Sequence, residues 1–192
     1  MTMDARKVYN GIVLLTGYLQ RLYVFENILH QLNIPRDQDR LEKVKELFDD
    51  SLAMLPLFEQ TKELTETQVK KLESVTAEVE KLMATYFKEG QISFNEKLAY
   101  VGSTLYSEQH VNLGILRLGK VFQVEVNKDF EMRVKFYEER TKFIDTIVSL
   151  MKKNQQVEEK AMEIIEMWYE NVAKNKNNIM NDIRMIGQLI GF

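Results

Sequence analysis

The sequence predicts an all-α protein, an antiparallel bundle of about five to six helices, some of them long. Apolar residues recur every three or four positions through most of the 192 residues, which is the spacing of one face of a helix. The chain has only two prolines and eight glycines, too few turn residues for a loop-rich or all-β fold. No linker divides it, so residues 1–192 are predicted to form a single helical-bundle domain.

The first two predicted helices are bounded by proline. The first covers about Asp4 to Leu32 and stops before Pro35, because proline disfavours helical backbone in the residue that precedes it. The second opens near Asp37 and is expected to run up to Pro56.

The next two helices are predicted to start at capping boxes. Thr65-Glu66-Thr67-Gln68 and Ser93-Phe94-Asn95-Glu96 each place a hydroxyl residue three positions before a glutamine or glutamate. In that arrangement the two side chains bind each other's free backbone N–H groups, which fixes the first turn of a helix.

The stretch from Val111 to Asn127 leaves two interpretations open. As a helix it lines one side with Val111, Ile115, Leu118 and Phe122. Gly114, Gly119 and three nearby valines disfavour a helix, and Gly119-Lys120 suits a two-residue turn, so a β-hairpin over 113–126 is the alternative.

Two further helices complete the predicted bundle. One covers about Lys128 to Lys153 and carries a double apolar stripe, which indicates burial against more than one neighbour. The last carries Val157 through Ile186, and the polar run Lys174–Asn178 interrupts its stripe as either a break or a polar layer.

The charge and composition disfavour several classes of protein. The 26 basic and 29 acidic residues give a net charge of −3, without the basic excess that nucleic-acid binders use on phosphates, so no nucleic-acid partner is predicted. The absence of cysteine rules out disulfides and thiolate chemistry. No run approaches the roughly 20 apolar residues of a membrane span, and the sequence predicts a cytoplasmic protein.

No catalytic, metal or cofactor site is predicted. The only two histidines are His30 and His110, and Glu26 lies four residues before His30 without a third ligand in the pattern. Glu163-Ile164-Ile165-Glu166 resembles half of the magnesium motif of the all-α pyrophosphohydrolases, but the Glu-x-x-Asp half is missing. No glycine-rich phosphate loop or serine nucleophile motif occurs.

Two short stretches carry resemblances. His110-Val111-Asn112-Leu113-Gly114 resembles the proximal-histidine stretch of sensor globins, which implies haem as the ligand. Gly114-Ile115-Leu116-Arg117 resembles the arginine-finger stretch of bacterial GTPase-activating effector bundles, which implies that Arg117 faces a phosphate. They cover five and four residues, and the chain is assigned to no family on them.

The leading functional hypothesis is therefore a non-enzymatic protein–protein interaction module, such as an adaptor, chaperone or complex subunit, that acts through apolar helix faces. The alternative is a small-molecule or haem sensor domain with its ligand in the bundle core.

The C-terminal turn is the predicted contact with a protein partner or a second copy of the chain. A chain end is usually polar, whereas this one is apolar and closes with phenylalanine. The alternative left open is that it packs back on its own bundle. The residues predicted to bind the partner are Ile179, Ile183, Ile186, Leu189, Ile190 and Phe192.

Overall fold

The computed structural model describes residues 4–87 and 90–192, except for the side chain of Asn177. These residues form seven α-helices and no strand. The all-α prediction is confirmed, and the predicted number of five to six helices is too low. The helices are α1 (Ala5–Gln31), α2 (Gln38–Thr61), α3 (Glu66–Ala84), α4 (Phe94–Phe122), α5 (Asp129–Lys152), α6 (Glu159–Lys174) and α7 (Lys176–Ile190).

Helix α1 is the centre of the bundle. It contacts α2, α3, α4, α5 and α7, which explains why its buried residues lie on nearly every side of the helix. Helix α4 is the second central element, and it packs against α1, α5 and α6. Several polar residues of α1, among them Arg21 and Glu26, are therefore enclosed by neighbouring helices.

Glycines allow α1 and α4 to approach closely. A Cβ atom at Gly114 of α4 would lie 2.4 Å from Cγ1 of Val13, and one at Gly17 of α1 would lie 2.7 Å from Cγ2 of Val111. The glycine penalty within a helix, about 1 kcal/mol, is offset here by packing that no larger residue permits. The helical interpretation is thus confirmed as far as Phe122, and the hairpin over 113–126 is wrong.

Two helix boundaries differ from the prediction. Helix α2 continues through Pro56 to Thr61, because the proline lies on the exposed side, where water can satisfy the carbonyl that it leaves unbonded. The polar run after Val172 proves to be a break at Asn175, which separates α6 from α7 and accounts for the seventh helix. Both predicted capping boxes are confirmed, at Thr65 and Ser93.

None of the helices in the described ranges is both long enough and apolar enough to cross a bilayer.

Candidate ligand-binding site

A cavity of about 400 Å³ lies where α1, α4 and α5 meet the break between α6 and α7. We call it the Arg21 cavity. Five helices contribute to its wall, and most of the lining side chains are polar. The polar lining residues are Tyr18, Arg21, Thr104, Glu108, Tyr137, Asn171, Asn175, Asn178 and Asp182.

Arg21 is the most unusual residue of this wall. Only 7% of its surface is exposed, since it lies on the central helix between the core residues Leu19 and Leu22. Its Nε atom is buried without a hydrogen-bond partner, and within residues 4–87 and 90–192 no carboxylate forms an ion pair with it. Its guanidinium makes a cation–π contact with the Tyr18 ring, whose centroid lies 5.5 Å from Cζ. An arginine buried in this way costs free energy unless something compensates its charge.

Two carboxylates share the cavity with Arg21. Asp182 accepts a hydrogen bond of 3.1 Å from the Tyr18 hydroxyl, and Glu108 lies close enough to Tyr18 and Tyr137 to act on both phenols. Burial raises the pKa of both tyrosines above the ordinary value, and the carboxylates raise it further. Among the residues that the structure describes, neither carboxylate has a cationic partner within ion-pair distance.

The helix break brings the N-terminus of α7 to the same wall, directly after the C-terminus of α6. The Asn175 side chain donates to the carbonyl oxygen of Asn171, at 3.2 Å, and so does not cap α7. The first turn of α7 accordingly has no side-chain cap, although Asn175 and Asn178 both line the cavity. An uncapped helix N-terminus presents N–H groups and partial positive charge, which favour an anion.

One turn further along α1, Glu26 lies in a buried cluster of charges that, unlike Arg21, are paired with each other. Glu26 is 1% exposed and accepts two hydrogen bonds from Arg36, of 2.8 Å from Nε and 2.5 Å from Nη2. Arg40 adds its Nε at 3.0 Å, an ion pair whose angle is too poor for a hydrogen bond. Glu26 is therefore fully engaged, and His30, four residues on, lies exposed at the surface.

The two residues in the resembling stretches, His110 and Arg117, line a different groove of about 240 Å³. His110 Nε2 lies 2.7 Å from the hydroxyl of Thr16, and burial lowers the histidine's pKa. Glu59 accepts a hydrogen bond of 2.6 Å from Arg117, and another of 2.8 Å from Tyr9. The charge of Arg117 is thus neutralised within the chain, and His110 already has a hydrogen-bond partner.

The C-terminal residues predicted to bind a partner lie mainly inside the chain's own core. Four of the six are buried, as α7 packs on α1 and α3, while Leu189 is half-buried and Phe192 is 36% exposed. Ile190 fits against Gly11, where an added Cβ would meet its Cγ1 at 2.8 Å. Packing back on the bundle is the arrangement observed, and partner binding through the buried four would require α7 to leave the bundle. The buried four are Ile179, Ile183, Ile186 and Ile190.

The search for metal ligands gives no site in the described part of the chain, where no three histidine, aspartate or glutamate side chains come together. Comparison of the chain with protein-family models, curated proteins and solved structures finds no significant match. The Arg21 cavity was also missed by sequence reasoning. Its one sequence signal is an arginine within the apolar stripe of the first helix, in a segment otherwise dominated by leucine, tyrosine and phenylalanine.

Proposed function

We propose that this protein is a small-molecule-binding domain, whose ligand places an anionic group against Arg21. One observation carries the proposal: the buried Arg21, which pairs with no carboxylate among residues 4–87 and 90–192, forms part of the wall of an open cavity lined by five helices. A bound anion would supply the missing charge and would form charge-assisted hydrogen bonds with the guanidinium.

The size and position of the cavity support this role. Its volume of about 400 Å³ falls in the lower part of the range for small-molecule sites. A ligand there would contact residues on both sides of the α6–α7 break, so binding would stabilise one arrangement of these two helices. That coupling is what a sensor requires. Neither histidine lines the cavity, which favours a small polar ligand over haem.

The test is native mass spectrometry of the full-length protein as purified, with a denatured sample as reference. We expect an added mass of a few hundred daltons or less that is lost on denaturation. Arg21→Met should abolish it, and Arg21→Lys should weaken it because lysine lacks the planar fork of arginine donors. Arg117→Met is the matched control, since this arginine lies outside the cavity and is paired with Glu59.

A second measurement tests for binding in case the ligand dissociates during purification. Melting temperatures are recorded with a panel of small carboxylates and phosphates, each at millimolar concentration. A ligand that binds only the folded state raises the melting temperature as its concentration rises above Kd. If the purified protein carries no small molecule that Arg21→Met loses and no anion stabilises the wild type, or if Arg21→Met responds as the wild type does, the proposal is wrong.

A protein-interaction module remains the second proposal, supported by a cluster on α5 and α6. The Arg140 guanidinium lies 3.9 Å from the Phe136 ring centroid and 4.5 Å from that of Trp168. Phe136 is 45% exposed, and Met132 one turn earlier is 64% exposed. Tryptophan, arginine and other aromatic residues are the types that dominate binding energy at interfaces.

Self-association is the form of this second proposal that can be tested first. Sedimentation equilibrium of the wild type should show a concentration-dependent dimer, and Phe136→Ser should remain monomeric with an unchanged melting temperature. Deleting Gly187–Phe192 provides the comparison for the C-terminal prediction. A lower melting temperature in a monomer means packing within the chain, whereas loss of the dimer alone means an interface. A wild type that stays monomeric throughout contradicts self-association.

A further inference from the structure

We infer that the ligand of the Arg21 cavity is a small zwitterion of the amino-acid class, with its carboxylate on Arg21 and its ammonium group between Glu108 and Asp182. This inference rests on the function proposed above and adds the charge pattern of the ligand.

The charges of the wall carry the argument. The cavity is lined by one cation, Arg21, and by two carboxylates, Glu108 and Asp182. Within the described ranges none of the three is ion-paired to another group of the protein. Of the three, Arg21 is almost completely buried, Glu108 is half-buried and Asp182 is exposed, whereas the buried Glu26 is paired within the chain. A site that leaves charges of both signs unpaired is complementary to a ligand that carries both signs.

The geometry separates the two kinds of charge across Tyr18. The guanidinium of Arg21 lies over the ring of Tyr18, while the hydroxyl at the far end of that ring donates to Asp182. Arg21 and Asp182 thus contact different parts of Tyr18, the ring face and the hydroxyl.

Ligands of a single charge sign fit this wall less well. A phosphate dianion would be attracted to Arg21 and repelled by both carboxylates, which leave the wall with a net charge of −1. A polyamine would pair with Glu108 and Asp182 and would leave Arg21 unpaired and buried. A zwitterion compensates all the charges except one carboxylate.

The test uses three sets of probes with the full-length protein in thermal-shift and calorimetric titrations. The first set consists of the twenty proteinogenic amino acids and two ω-amino acids, 4-aminobutanoate and 5-aminopentanoate. The second set consists of the corresponding carboxylic acids without the amino group, and the third of the amines without the carboxylate. We expect at least one zwitterion to bind at least about tenfold more tightly than its acid and its amine.

Substitution of the two carboxylates tests whether they bind the ammonium group of the ligand. Asp182→Asn with Glu108→Gln should weaken the zwitterion at least about tenfold and strengthen the matching acid. Asp145→Asn is the control, because Asp145 also accepts hydrogen bonds from a tyrosine hydroxyl, that of Tyr106, but lies outside the cavity.

Two outcomes would overturn the inference, and they bear differently on the proposed function. If an acid without an amino group binds as tightly as its zwitterion, the ligand class is wrong while anion binding at Arg21 stands. If neither zwitterions nor acids bind, and the purified protein carries no small molecule that Arg21→Met loses, both proposals fail.

Discussion

Arg21 and Glu26 lie little more than one turn apart on the same central helix, and both are almost completely buried. Glu26 is held by Arg36 through two hydrogen bonds and has a second cation, Arg40, beside it. Arg21 has an aromatic ring beside it and an open cavity in front of it. Within the part of the chain that the structure describes, Glu26 is therefore paired with cations and Arg21 is paired with no carboxylate.

The phenol of Tyr86 is affected by both charges. Burial raises its pKa to about 12, while the positive charge of Arg21 lowers it and the negative charge of Glu26 raises it. The two charges differ in their access to water as well as in their pairing, because Arg21 faces the open cavity whereas Glu26 is 1% exposed. The difference in pairing predicts that Glu26 contributes more to the free energy of unfolding than Arg21 does.

The largest effect is expected for Glu26→Gln. The substitution keeps the shape of the side chain but removes the charge that compensates Arg36 and Arg40. Breaking one side of a buried ion pair costs about 3–5 kcal/mol of the free energy of unfolding. Urea denaturation of this variant measures the loss, with Glu42→Gln at an exposed position of α2 as the control. A loss no larger than that of the control would mean that the cluster contributes little to stability.

A smaller and graded effect is expected for the two arginines of the cluster. Arg36→Met removes two well-formed hydrogen bonds to a carboxylate and should cost about 1.5–3 kcal/mol. Arg40→Met removes one poorly aligned ion pair, while two of the Arg40 nitrogens are buried without a hydrogen bond, so it should cost under about 1 kcal/mol. The reverse order in urea denaturation would contradict the assigned geometry.

Much of the fold can be predicted from local sequence patterns. The predictions fail where a contact with a residue far along the chain determines the local structure. The stripe of α1 and the capping boxes at Thr65 and Ser93 depend on neighbours within one or two turns, so the sequence predicts them. The helix through Gly114 depends on Val13, a hundred residues away, which needs the space that a Cβ would occupy. The spacing of apolar residues carries no information about such a distant neighbour, so the sequence alone does not exclude a hairpin.

The candidate site was less predictable because it is defined by a missing partner. The sequence shows an arginine in an apolar stripe, but not which carboxylate reaches it. Glu26 lies close enough along the helix to be a candidate, and only the turn that brings Arg36 and Arg40 beside it shows that it is already engaged. The sequence of the C-terminal turn likewise does not show that Ile190 packs against Gly11, and the burial of the turn depends on that contact.

Arg21→Met tests the comparison most directly, because its predicted effect differs in sign from that of the same substitution at Arg36. Without a ligand, we expect the free energy of unfolding to stay constant or to rise by up to about 1 kcal/mol. Loss of the cation–π contact with Tyr18, worth about 0.5–1 kcal/mol, is offset by removal of an unpaired buried charge. A destabilisation as large as that of Arg36→Met would show that Arg21 has a structural role and would remove the reason for proposing a ligand.

The smallest effect concerns a third way to hold an ionisable side chain inside the bundle, which is to keep it neutral. Burial lowers the pKa of His110 below its ordinary value of 6.5, and the Thr16 hydroxyl shares a hydrogen bond with Nε2. Below about pH 7 the unfolded chain gains a proton at this residue that the folded chain does not, so acidification favours unfolding until the folded pKa is passed.

His110→Gln keeps a hydrogen-bonding side chain beside Thr16 and removes the titration. We expect the free energy of unfolding of this variant to fall less steeply between pH 7 and pH 5.5 than that of the wild type. The two slopes should differ by at most about 1.4 kcal/mol per pH unit. His30→Gln is the matched control, since His30 is exposed and should leave the slope unchanged. Equal slopes in the wild type and His110→Gln would mean that the folded protein takes up the proton as readily as the unfolded chain. In that case burial on α4 would not exclude charge, and the contrast between Arg21 and Glu26 would lose its physical basis.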